Sequence, residues 1–258
     1  MIGISKLYCG TVEASDPLRY GRQSARLPSH LLQFSADKKP VVVWNCTKQC
    51  NLFCAHCYAA ATRRPDPDEL TGDEAREMID DLARFGSPVL LFSGGEPVMR
   101  RDLLDLIGHA KAARMRAVVS TNGTLITREY ADRFAEAGLS YAGVSLDGLE
   151  EVHDEFRGVK GCFAKALEGM RNCRAAGVKV GLRLTLNRRN VHELSGIFDL
   201  IEREEIPRVC FYHLVYTGRG DALRGDALDH QQTREAVDLI MDRTAAIHRA
   251  GREIEVLT

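Results

Sequence analysis

Between residues 41 and 250 the sequence repeats one pattern six times: a short apolar run, an amphipathic stretch, then turn residues. The apolar runs lie at residues 41–44, 89–92, 117–119, 141–146, 178–186 and 209–214 and read as buried strands. Helical stretches follow at 71–85, from Asp102 onward, and at 127–137, 163–176, 191–203 and 231–250, with a long loop between the fourth strand and its helix. Gly138, Gly177 and Gly251 stand where helix C-caps belong. Strands alternating with helices imply one parallel sheet with right-handed crossovers. A complete eight-unit barrel needs about 250 residues, more than this segment holds. The pattern therefore predicts an α/β fold, a partial (βα)6 barrel of parallel strands with outer helices. In such folds the functional groups collect at the C-terminal ends of the strands. Residues 1–40 precede the repeat as an N-terminal extension and 41–250 form the core. Residues 251–258 read as the start of a further strand, and of a C-terminal region expected to continue beyond this chain.

The chain has 258 residues, 45% hydrophobic and 28% charged, a balance that excludes general disorder. Thirty-five Lys and Arg against thirty-six Asp and Glu leave a net charge of −1, which argues against a nucleic-acid partner. No apolar run approaches the roughly 18 residues of a membrane span. The opening MIGISKLYCG lacks the apolar centre of a secretory signal, so the cytoplasm is the expected compartment. There, closely spaced cysteines hold metals more often than disulfides. Three of the eight cysteines, Cys50, Cys54 and Cys57, form CxxxCxxC in the loop after the first strand. A structural zinc site wants four closed ligands, whereas three thiolates on a four-iron cluster leave one iron open. On spacing alone, zinc with a distant fourth ligand and simple buried thiols stay open as alternatives. Cys9, Cys46, Cys162, Cys173 and Cys210 are scattered and read as small packing residues.

Polar motifs sit at consecutive strand ends. Ser93-Gly94-Gly95-Glu96-Pro97 follows the second strand, Ser120-Thr121-Asn122-Gly123 the third and Ser145-Leu146-Asp147-Gly148 the fourth. Alternation points Arg183 of the fifth strand inward, where its charge needs an anionic partner. The segment from His153 to Gly158 reads as part of a polar loop, either an active-site edge or a solvated charge run.

CNLFCAHCY after one strand and SGGEP after the next resemble the radical S-adenosylmethionine superfamily, across the whole βα region. The resemblance implies a [4Fe–4S] cluster on Cys50, Cys54 and Cys57, with S-adenosylmethionine chelating the open iron and yielding a 5′-deoxyadenosyl radical. It implies that Gly94, Gly95 and Glu96 receive the cofactor's ammonium. Ser120, Asn122, Ser145 and Asp147 would meet its ribose hydroxyls or carboxylate, Arg183 would lie near that carboxylate, and His56 would pack near adenine. The opening MIGISKLYCGT and the run PVVVWN resemble the branch that works on sirohaem-derived iron tetrapyrroles, its acetate-removing members above all. That branch includes haem synthases, which decarboxylate propionates, and haem d1 enzymes. The resemblance implies a low-potential donor such as ferredoxin or flavodoxin, and an auxiliary cluster in a C-terminal extension. Arg188, Arg189 and Arg219, after the fifth and sixth strands, suit the carboxylates of such a substrate. A peptide-modifying radical enzyme is the alternative within the superfamily. An iron–sulfur electron-transfer or zinc module is the non-enzymatic one.

Overall fold

The structure, a computed structural model, describes residues 2–10 and 39–258. Most of the N-terminal extension, residues 11–38, and part of the MIGISKLYCGT motif lie outside the described residues. Seven strands form one sheet in chain order, every neighbouring pair parallel. They are β1 (Val42–Thr47), β2 (Val89–Gly94), β3 (Arg116–Thr121), β4 (Tyr141–Ser145), β5 (Lys179–Leu186), β6 (Arg208–His213) and β7 (Glu255–Leu257). Helices α2 (Gly72–Phe85), α3 (Leu103–Ala112) and α4 (Arg128–Ala137) follow β1 to β3 in turn. α5 (Glu150–Arg157) and α6 (Cys162–Ala175) follow β4, α7 (Leu194–Arg203) follows β5, and α8 (His230–Arg249) follows β6. β1 and β7 are not paired with each other, so the barrel is open and partial.

Local chemistry fixes these boundaries. Thr71 starts α2 with a reciprocal capping box to Glu74, and Asp229 starts α8 in the same way with Gln232. Gly86 and Gly138 end α2 and α4 in the left-handed conformation that glycine adopts freely. Leu90, Phe92, Val119, Leu182 and Phe211 of the strands are buried against Leu103, Ile107, Phe134 and Phe198 of the helices in one continuous core.

Two features depart from the sequence reading, the helix after β4 and the packing of the first residues, and one agrees with it. The loop after the fourth strand contains a helix, α5, with Val152 and Phe156 one turn apart and Gly158 as its left-handed C-cap. It is only eight residues long, so its period is short in the sequence. The run from Glu255 to Leu257 is a further strand, as its apolar pattern reads in the sequence, and it pairs with β6 as the seventh strand of the sheet. The first residues also belong to this body. Helix α1 (Ile4–Cys9) packs on α8 and β7, and Gly3 bridges Leu257 antiparallel. Ile2 and Thr258 exchange backbone hydrogen bonds, and the Val256 N–H donates to Ser5 Oγ at 3.1 Å. Among the described residues no helix is long and apolar enough to cross a membrane.

Candidate active site

A cavity of about 1820 Å³ runs through the open barrel, and the loop after β1 forms part of its wall. The loop is pinned by its own backbone: Cys50 N–H donates to Thr62 O at 2.8 Å and Thr62 N–H to Lys48 O at 2.9 Å. Cys50, Cys54 and Cys57 all line the cavity, the first two buried and the third half-buried. Each sulfur accepts an N–H donor. Leu52 N–H reaches Cys50 Sγ at 3.4 Å, Arg157 Nη1 reaches Cys54 Sγ at 3.5 Å, and Ala61 N–H reaches Cys57 Sγ at 3.4 Å. Burial pushes the Cys50 thiol up to about 11, so a thiolate here requires a positively charged centre beside it. Among the described residues no three ligand side chains converge on a point that would hold a single ion. Three cavity-facing sulfurs, each with a hydrogen-bond donor, fit the cysteine ligation of an iron–sulfur cluster. The residues present thus fit a [4Fe–4S] cluster held by three cysteines.

The SGGEP segment is built to press against this loop. Gly95 N–H donates to Thr47 O and Glu96 N–H to Gln49 O, both at 2.7 Å. A Cβ at Gly94 would overlap the Thr47 carbonyl oxygen, and one at Gly95 the Gln49 carbonyl oxygen. The two glycines line the cavity, but the close approach that demands them is to the cysteine loop's backbone. Glu96 is bonded within the protein itself. Its carboxylate is fully buried and outside the cavity wall. It accepts from Thr121 Oγ1 at 2.7 Å, Asn122 N–H at 2.7 Å and Val98 N–H at 3.1 Å, tying the end of β2 to the end of β3. Burial raises its pKa, and those three donors work against the rise.

Asn122 lines the cavity with its amide already engaged: Nδ2 donates to Asn51 Oδ1 at 2.8 Å, and Oδ1 accepts from Thr124 N–H at 2.9 Å. Ser120 and Ser145 face the cavity from β3 and β4. Asp147 lines it too, but its carboxylate is buried in an ion pair with Arg157, and its Oδ1 accepts from Thr185 N–H at 3.0 Å. Burial pushes its pKa up, yet the guanidinium, with His56 beyond it, outweighs burial and holds it below the usual carboxylate range. Arg183 points into the barrel as alternation predicts. Its guanidinium lies against Gly143, where any Cβ would strike it, and its Nε has no hydrogen-bond partner among the described residues. A cavity-lining guanidinium with an unsatisfied donor fits a carboxylate.

His56 stacks on Phe156 with ring centroids 4.6 Å apart and holds Nε2 at 3.5 Å from Asp147 Oδ2. Burial lowers its pKa to about 4, so it is neutral, in keeping with a packing role. The three arginines expected to meet substrate separate. Arg219 lines the cavity but donates to Cys54 O and Ala61 O, each at 2.8 Å, and stacks over Phe53, so it fastens the cysteine loop. Arg188 and Arg189 lie outside the cavity wall, drawn to Asp229 and Asp226 in the connection before α8.

Two residues read in the sequence only as part of a polar loop, and several not singled out at all, also belong to the site. Arg157 and His153 are buried on α5, and the His153 Nδ1 accepts from Asp147 N–H at 3.1 Å. Tyr58 joins β1 to β2 through Asn45 Oδ1 at 2.9 Å and Ser93 Oγ at 3.0 Å. Tyr141, Arg208 and Tyr212 line the barrel interior, with Arg208 over the Tyr141 ring at 5.2 Å. The signal for the last three was the one used for Arg183, alternation along β4 and β6.

Comparison with known proteins gives the same picture. A family profile described as "Radical SAM superfamily" matches residues 44–201. The chain is 61% identical over 258 residues, all of its length, to Fe-coproporphyrin III synthase of Methanosarcina barkeri, of which it covers 65%. It is 43% identical over 221 residues, 85% of its length, to pre-heme d1 synthase of Dinoroseobacter shibae, of which it covers 55%. The chain thus spans less than two thirds of either relative. The fold is similar to a solved structure of native anSMEcpe with bound AdoMet, with a TM-score of 0.70 at 16% identity, over 84% of this chain and 63% of that one. The loop of three cysteines, the glycine brace against it and the matched profile agree: this chain belongs to the radical SAM superfamily.

Proposed function

We propose that this chain is the cofactor-binding core of an enzyme that removes two acetate side chains from didecarboxysiroheme to give iron-coproporphyrin III. The observation that carries the reading is 61% identity, over the whole of this chain, to Fe-coproporphyrin III synthase. When bound, the [4Fe–4S] cluster and S-adenosylmethionine supply a 5′-deoxyadenosyl radical. The chain's own residues then have separate tasks. Cys50, Cys54 and Cys57 hold the cluster. The Gly94–Gly95 backbone receives the cofactor's ammonium while the buried Glu96 keeps that backbone in place. Arg183 receives its carboxylate, and Ser120 and Ser145 offer hydroxyls nearby. Arg208 at the start of β6 and Tyr212 near its end also line the cavity and offer donors to a carboxylated substrate. Asn122 and Asp147 act indirectly, through Asn51 and Arg157. Arg219 contributes by holding the loop, and Arg188 and Arg189 would meet substrate only by leaving their acidic partners.

A donor such as ferredoxin or flavodoxin would supply the electron, and an auxiliary cluster would belong to a C-terminal region of the whole enzyme. The enzyme works in the cytoplasm on a small molecule, not on nucleic acid or at a membrane. The test is anaerobic incubation of the complete enzyme with reductant, S-adenosylmethionine and didecarboxysiroheme, followed by product masses. Loss of two acetates is the expected result. Propionate decarboxylation of iron-coproporphyrin instead would move the assignment to the haem synthases. Activity on a peptide alone would reject the tetrapyrrole substrate.

A further inference from the structure

Cys54 has a neighbour that its two companions lack. Cys50 Sγ accepts from the Leu52 backbone and lies 3.9 Å from the Asn122 amide, and Cys57 Sγ accepts from the Ala61 backbone. All three of those donors are neutral. Cys54 Sγ instead accepts from Arg157 Nη1 at 3.5 Å, and Arg157 is only 7% exposed. A second nitrogen of the same guanidinium pairs with Asp147, 1% exposed. Asp147 is fixed in turn by Thr185 N–H on Oδ1 and by Asn190 Nδ2 on its carbonyl at 2.8 Å. The carboxylate thus sits on one arm of the guanidinium fork and the sulfur on another.

The loop does not need this charge to be tethered. Phe53 N–H already donates to Arg157 O at 3.2 Å, and Ala55 N–H to Phe156 O at 2.9 Å. Those are backbone contacts that any residue at position 157 could make. What only an arginine or lysine adds is a buried positive charge against one sulfur.

We propose that Arg157 is a positioning residue that raises the reduction potential of the cluster held by Cys50, Cys54 and Cys57. This rests on the cluster assignment above. Reduction adds one electron, from an external low-potential one-electron donor, and makes the cluster more negative by one charge. A fixed cation beside a ligand sulfur stabilises the reduced form more than the oxidised form, and low local dielectric enlarges the difference. Asp147 opposes the effect, but from the arm of the guanidinium turned to another partner. Its task is to hold the guanidinium in place.

The test is a redox titration, followed by electron paramagnetic resonance, of anaerobically reconstituted holoprotein. Wild type is compared with Arg157→Lys and with the double variant Arg157→Gln, Asp147→Asn. The double variant removes both charges together and leaves no uncompensated buried carboxylate. At a fixed applied potential its ratio of reduced to oxidised cluster should fall about tenfold, or about 59 mV for a one-electron couple. Arg157→Lys should retain most of the wild-type potential. A wild-type potential in the double variant overturns the proposal. Loss of the cluster from both variants also overturns it, since Arg157 would then be a brace for the loop. Failure of wild type itself to show a four-iron signal would instead reject the cluster assignment, and the proposal with it.

Discussion

At the scale of single residues, the site depends on two side chains that are absent and one that is hidden. Any Cβ at Gly95 would overlap the Gln49 carbonyl oxygen, which belongs to the backbone of the cysteine loop and cannot step aside alone. Gly95→Ala should therefore displace the loop, lower stability by about 1–3 kcal/mol and reduce iron bound on anaerobic reconstitution. Gly108 on α3 is the control, with open space within 4 Å of where a Cβ would stand and an ordinary helical backbone. Gly108→Ala should be neutral or stabilising by about 0.4–1 kcal/mol, with normal iron content. Equal iron content in the two variants would contradict the steric reading. Glu96 is legible in the sequence as important but not as hidden. SGGEP marks the position, yet only the fold shows the carboxylate bonded to Thr121 and Asn122, 25 and 26 residues away. Glu96→Gln replaces an acceptor-only group by one carrying two donors, with three N–H or O–H donors already facing it. It should cost about 1–3 kcal/mol in urea denaturation without any cofactor present. Unchanged stability together with weakened S-adenosylmethionine binding would restore the direct contact.

At the scale of elements, what the sequence makes legible is whatever is periodic. Strands β1 to β6 coincide with the apolar runs, and the caps at Thr71, Thr127 and Gly138 mark the helix ends. Alternation also places Arg183 inside the barrel. Helix α5 has too few turns to display a period, so its buried Arg157 reads only as part of a polar loop, an active-site edge or a solvated charge run; its partner Cys54 is 103 residues away. Arg188 and Arg189 show the converse limit of the sequence. Their position after β5 is correct, but Asp226 and Asp229, which draw them aside, come from the connection after β6. Ion pairs between elements also set a pH dependence away from the cysteines. Arg171 on α6 grips Glu204, just past α7, through two nitrogens at 2.7 and 2.9 Å. That hydrogen-bonded pair holds the Glu204 carboxyl below its ordinary range. A depressed carboxylate adds stability above its unfolded pKa and loses it as pH falls through the folded one. Arg171 is well exposed, so the contribution is under about 1 kcal/mol. Glu204→Gln should lower the unfolding midpoint slightly at pH 7 and leave it unchanged once Glu204 is protonated in both states. A difference from wild type that persists or grows in acid would show that the pair does not act through charge.

At the scale of the whole molecule, the sheet separates the task of holding the cluster from that of closing the far edge. The cysteine loop hangs from β1, at one margin, while β7 forms the other margin and is covered by the first residues of the chain. The sequence hints at this arrangement only through the apolar run Ile254, Val256 and Leu257, because the pairing of Gly3 with Leu257 joins positions at opposite ends of the chain. Ile4 is 7% exposed and packs into the main core, which spans the sheet. Truncating it removes buried methyl and methylene groups and leaves a gap between α1, α8 and β7, so Ile4→Ala should cost about 2–5 kcal/mol. Hydrogen exchange should quicken at the Val256 and Thr258 amides, which donate to Ser5 Oγ and Ile2 O. Because β1 and β7 stand at opposite ends of the sheet order, the loss should be felt at one edge and not the other. Iron uptake by the folded variant should match wild type, with no change in exchange at the Cys50 amide, which donates to Thr62 O. A variant that folds yet fails to take up iron would show that the two margins act as one cooperative unit rather than as separable parts.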